Sequence, residues 1–160
     1  MKRVYPYLVG FWLACLQTSL FFVLQISLSS AFLSYGVLLF GWLLGSAVGV
    51  SLTPRQARLW LVVSALCPYG LYGVLHFFPY RLEALPLVGL LIVLCSIFAG
   101  VFFQAEKSRF EKIGRLLFWE TAGFCSGLVA ALAVLLFLGG LTLAAWSPAG
   151  GLLLLVFHRR

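Results

Sequence analysis

Charged side chains are scarce in this chain of 160 residues. They make up 9% of it, and the only carboxylates are Glu83, Glu106, Glu111 and Glu120. An ordinary soluble domain carries roughly a quarter charged residues, so this composition cannot coat a water-facing surface. Histidine is limited to His76 and His158. Two histidines and four carboxylates scattered along the chain supply no grouping of nucleophile, base and orienting residue. No glycine-rich phosphate cradle follows a strand pattern. No catalytic activity and no cofactor are therefore expected. The four cysteines, Cys15, Cys67, Cys95 and Cys125, stand singly inside apolar runs. They lack the close pairing of zinc or redox motifs, so they are expected to be small core residues and not metal ligands.

Apolar residues, by contrast, account for 63% of the chain. A helix crossing the hydrocarbon core of a bilayer needs about 20 mostly apolar residues. Six crossings would use about 120 positions at that length, leaving little for loops and no room for an extramembrane domain. Six runs of this kind can be read, over about 4–26, 31–52, 59–78, 84–103, 116–138 and 141–157. The sequence predicts an all-α, polytopic bundle of six transmembrane helices forming a single domain. The first run follows Lys2 and Arg3 as a secretory signal would. It exceeds the roughly 7–15 residues of a signal core, and a retained span is expected.

The net charge of +7 resides in short connections and at the ends, not on a basic face with exposed readers, so nucleic acid is not an expected partner. With the amino terminus inside, the cytoplasmic segments collect Lys2, Arg3, Arg55, Arg58, Lys107, Arg109, Lys112, Arg115, Arg159 and Arg160, leaving only Arg81 outside. The positive-inside rule then places both termini in the cytoplasm of a multi-pass protein of the cell membrane, the inner membrane in a Gram-negative cell. Trp60 and Trp119, next to basic connections, fit a cytoplasmic aromatic belt. The stretch Gln104 to Arg115 is the only connection long enough for an amphipathic surface helix.

Within the spans, contacts between helices rely on small residues that let backbones approach. Gly41, Gly45 and Gly49 in the second run and Gly123 and Gly127 in the fifth are expected packing seams, within one subunit or against a partner. Glu120 is the only acidic residue inside an apolar run, and at 100° per residue it shares a face with Gly123 and Gly127. A charge there is costly unless paired or hydrated, so two readings stand: an ion pair with Arg55, Arg58 or a loop lysine, or a proton- or cation-binding role in transport. Gln17 in the first span must meet another helix or a wet cavity, because an unpaired amide is expensive in hydrocarbon. Ser64, Ser96 and Ser126 can satisfy themselves against the carbonyls one turn back. Ser147-Pro148-Ala149-Gly150-Gly151 weakens the sixth run, either as a transporter-type break that exposes backbone or as a kink packed against neighbours. His76 is expected near the outer interface.

Two stretches carry a resemblance. One is Leu39-Phe40-Gly41-Trp42-Leu43-Leu44-Gly45-Ser46-Ala47-Val48-Gly49 leading to Pro54-Arg55-Gln56-Ala57-Arg58. The other is Gly114-Arg115-Leu116 followed by Thr121, Gly123 and Gly127. They resemble the membrane region of fused spermidine-synthase-like proteins, which is itself similar to half of a major facilitator superfamily transporter. The resemblance covers about 31–138. It departs at Pro54, where the facilitator loop has an acidic residue, and at Glu120, where the fused synthases tend to carry a neutral amide. The soluble aminopropyltransferase domain would begin near Arg160, so no synthase activity is expected.

These observations lead to a half-transporter-like module that moves a small solute or cation as a homodimer or with a membrane partner, with Glu120, Gln17, Pro148 and Gly150 as candidate path residues. The alternative is a non-transporting membrane anchor or assembly subunit that docks a partner protein.

Overall fold

The computed structural model describes residues 3–28, 30–110 and 112–158, except the side chains of residues 108 and 156–158. Lys2, Glu111, Arg159 and Arg160 lie outside the described residues. Among the described residues there are six α-helices and no strand: α1 (Val4–Leu28), α2 (Ala31–Ser51), α3 (Ala57–Phe77), α4 (Leu85–Glu106), α5 (Ile113–Leu138) and α6 (Gly140–His158). Three single 3-10 turns, Pro54–Gln56, Leu82–Ala84 and Lys107–Arg109, fill the connections. Five of the helices are long and apolar enough to cross a membrane; the sixth is shorter, its apolar part running over Gly140–Leu155. Helices dominate because a chain this apolar must satisfy its backbone hydrogen bonds internally.

Local signals place several ends. Ser30 caps α2, its hydroxyl accepting from the Leu33 amide at 3.3 Å, as an N-cap side chain does. Gly139 ends α5 at φ +85°, a left-handed backbone that favours glycine. Proline starts the Pro54–Gln56 turn before α3. The fourth connection differs from the sequence expectation. Helix α4 continues to Glu106 and α5 begins at Ile113, so the segment between them is too short for a surface helix. The last turn of α4 persists because neighbours take its polar groups: Gln104 Nε2 donates to the Val50 carbonyl at 2.9 Å, and Glu106 is buried beside Tyr5.

The bundle is organised by two parallel helix pairs. Helix α1 packs along α5, and α4 along α2. Contacts advance together in each pair: Gly123 meets Tyr7 and Gly127 meets Phe11, while Gly45 meets Val93 and Gly49 meets Ile97. Helices α1 and α4 run in opposite directions, since Tyr5 stacks near Phe102 and Trp12 near Phe98. Helix α3 packs on α4, α6 on α1, and α3 and α6 on each other. Exchanging the first three helices with the last three, α1 for α4, α2 for α5 and α3 for α6, maps these principal contacts onto one another. With α1 and α4 antiparallel, the relation is that of an inverted repeat.

The core lies on α1 and α4, where Leu16, Leu20, Leu24, Ile92, Phe98 and Phe102 are all sealed from solvent. Helices α2 and α5 flank it. Each keeps its outer face uncovered, with Phe40, Leu43, Val129 and Phe137 among its exposed large side chains. The sequence-derived seams are found on the inner faces, Gly41, Gly45 and Gly49 against α4 and Gly123 and Gly127 against α1. Two further glycines complete them: the Gly10 face meets the Glu120 carbonyl, and Gly100 meets the Ser46 carbonyl. Ser96 ties the first seam, donating to the carbonyls of Gly41 at 3.3 Å and Val93 at 3.0 Å. Ser126 and the Tyr7 hydroxyl are 2.7 Å apart across the second.

Candidate functional site: a groove between α2 and α5

Because α2 is held on α4 and α5 on α1, the two flanking helices stand on either side of a groove floored by α1 and α4. Leu13, Trp42, Ser46, Phe103, Glu120 and Phe124 are among its walls, and it encloses about 360 Å³. It lies toward the end of the bundle that carries Arg55, Arg58 and the Lys107–Lys112 connection. Among the described residues Glu120 is its only charged group. Eight residues into α5, this side chain is half-buried, and the Thr121 hydroxyl lies beside it. The one ion pair among the described residues is elsewhere, Arg109 to Glu106 at 3.0 Å. Arg55, Arg58 and Arg115 are exposed, and the expected pairing of Glu120 with Arg55 or Arg58 is not formed. Arg3 instead lies over the Trp119 ring, 5.9 Å from its centroid.

The other candidate path residues fall in different places. Gln17 is half-buried on α1, one turn beyond Leu13 and so on the face that floors the groove. Pro148 and Gly150 lie on α6, away from Glu120. Helix α6 runs unbroken through Pro148, so backbone is not unwound there. The reason is packing: the Trp12 indole N–H donates to the Ser147 carbonyl at 2.7 Å, and its ring lies over Gly150 and Gly151. Gly150 also lines a separate, almost wholly apolar cleft of about 450 Å³ between α1, α5 and α6. Glu120 and the α6 proline segment therefore belong to different parts of the molecule.

Comparison of the chain with protein-family models, with curated proteins and with solved structures gives no match. The groove must be read from its own chemistry. It offers one carboxylate, one serine hydroxyl and one indole N–H among apolar walls, enough to hold a proton or a small cation, or to orient a small amine.

Three features escaped the sequence reading. Glu106, counted there with a polar loop, is 4% exposed and reaches out to Arg109. Cys67 and Cys95, far apart in the chain, bring their thiols together across α3 and α4, although among the described residues no group of three or more metal-binding side chains forms. Ser96 and Ser126 do bond back to carbonyls in the preceding turn, but Ser64 Oγ finds no partner among the described residues.

Proposed function

We propose that this protein is half of a membrane transport pathway, moving a small cation or protonatable solute through a channel completed by a second copy or a partner of like architecture. The observation that carries the reading is Glu120, a carboxylate with no ion-pair partner among the described residues, set in an open groove between two flanking helices. An ionisable group at that depth is costly unless it has a ligand, water or a partner to meet. The inverted-repeat arrangement of the helices adds support, since transporters of this construction place their sites at the junction of the repeats. The resemblance to half of a facilitator transporter points the same way, and no catalytic role is included.

In this reading the end bearing Arg55, Arg58, Lys107, Arg109, Lys112 and Arg115 faces the cytoplasm, as the positive-inside rule requires. Flux through the protein reconstituted in liposomes tests the proposal. Wild-type protein should release a proton or cation gradient, and Glu120→Gln should abolish that flux. Flux unchanged by Glu120→Gln would remove the carboxylate from the mechanism. Absence of flux together with a fixed co-purifying membrane partner would favour the anchoring role.

A further inference from the structure

A third cavity lies at the opposite end of the bundle, on the other side of α1. It sits between the ends of α1 and α3 and the start of α6 and encloses about 820 Å³, within the size range of small-molecule sites. Phe22, Ile26, Tyr69, Tyr72, His76 and Leu141 are among its walls. Its mouth is greasy: Ile26 is 67% and Leu141 89% exposed, so at membrane depth it opens toward lipid.

Ser27, Tyr69, Tyr72 and His76 are polar side chains of its lining, and Tyr72 reaches behind the wall to buried serines. The Tyr72 hydroxyl and Ser19 Oγ are 2.7 Å apart; when Ser19 donates to the phenol, the Tyr72 O–H is left as a donor at the cavity wall. Ser147 Oγ lies beside the same phenol. It is buried and lines the cleft between α1, α5 and α6. Pro148 has no N–H, so the Ala144 carbonyl at the cavity wall loses its helical donor. Tyr69 donates to the Ala145 carbonyl at 3.1 Å and stands edge-on to Tyr72, with ring centroids 6.4 Å apart.

Among the described residues no carboxylate, lysine or arginine lines this cavity. A charged ligand would find no counter-charge there. What the walls offer is a pair of electron-rich phenols, one hydroxyl donor at Tyr72 and an apolar exit to lipid.

We propose that the α1–α3–α6 cavity binds an uncharged, flat, carbonyl-bearing amphipath of the quinone class. The ring lies against Tyr69 and Tyr72, a carbonyl accepts from the Tyr72 hydroxyl, and the tail leaves past Ile26 and Leu141. This site is separate from the Glu120 groove and stands whether or not that groove transports.

Binding of tritiated decylubiquinone to the detergent-solubilised full chain tests it. Saturable binding of about one molecule per chain is expected, displaced by unlabelled decylubiquinone but not by decylbenzene, which keeps ring and tail without the carbonyls. Tyr72→Phe should weaken binding about fivefold to tenfold, the loss of one hydrogen bond. Gly73→Leu provides a second variant, because Gly73 lines the cavity and a β-carbon there meets nothing within 4 Å. It should fill the site and abolish binding while the melting temperature stays within a few degrees. Glu120→Gln should leave binding intact. Non-saturable uptake, equal displacement by decylbenzene, or full affinity in a folded Gly73→Leu protein would overturn the assignment.

Discussion

Trp12 donates its indole N–H to the Ser147 carbonyl at 2.7 Å, and the same ring occupies the space that a side chain at Gly151 would need. One residue of α1 thereby holds the proline-containing turn of α6 in helical register. Trp12→Phe should remove the hydrogen bond and keep most of the packing, lowering stability by about 0.5–1.5 kcal/mol. Trp12→Ala should cost about 3–5 kcal/mol, the usual range for emptying a large aromatic site. Denaturation of the purified protein in mixed micelles reads both values.

Glycines in this bundle divide into two groups with opposite predicted responses. A β-carbon at Gly45 would strike Ser96 Oγ and the Val93 carbonyl, and one at Gly123 would strike the Tyr7 carbonyl. Gly45→Ala and Gly123→Ala should therefore force a backbone shift and destabilise by about 1–3 kcal/mol. At Gly70 a β-carbon meets nothing within 4 Å. Gly70→Ala should stabilise by about 0.5–1 kcal/mol, because alanine loses less backbone freedom on entering a helix. Equal effects at Gly45 and Gly70 would mean that α2 does not pack on α4 at this seam.

Glu106 and Arg109 are an unequal pair. The carboxylate side chain is 5% exposed and the arginine 59%. Removing the arginine leaves a buried charge with less compensation, whereas Glu106→Gln removes the charge itself. Arg109→Ala should thus lower the melting temperature more than Glu106→Gln does. The reverse order would place the carboxylate in water.

Much of this architecture could be read from the residues alone. The six helices fall close to the six apolar runs, because helices in hydrocarbon are set by run length and interrupted by charge, proline and glycine. The seams were visible at Gly45, Gly49, Gly123 and Gly127 from their four-residue spacing. Their complements Gly10 and Gly100 were not, since a lone glycine carries no spacing signal. Charge misled at Glu106: hydropathy ended α4 early, while Gln104 and Glu106 found partners on α2 and near α1 that extended it. Pro148 misled in another way, because the side chain that accommodates it, Trp12, lies 136 residues earlier. Glu120 could be singled out by its isolation, but the groove around it depends on which helices pair. The Tyr72–Ser19 contact and the meeting of Cys67 with Cys95 join helices distant in sequence and leave no local pattern.

The central claim is that the helices cross a bilayer with the Arg55–Arg58 and Lys107–Lys112 connections on one side and the Pro79–Arg81 turn and Gly139 on the other. Single cysteines at Arg55, Arg109, Tyr80 and Gly139 in an otherwise cysteine-free chain, probed in intact cells with a membrane-impermeant maleimide, test it directly. The account predicts labelling at 80 and 139, with 55 and 109 protected until the membrane is opened. Labelling of 55 together with protection of 109, or uniform labelling of all four, would contradict it.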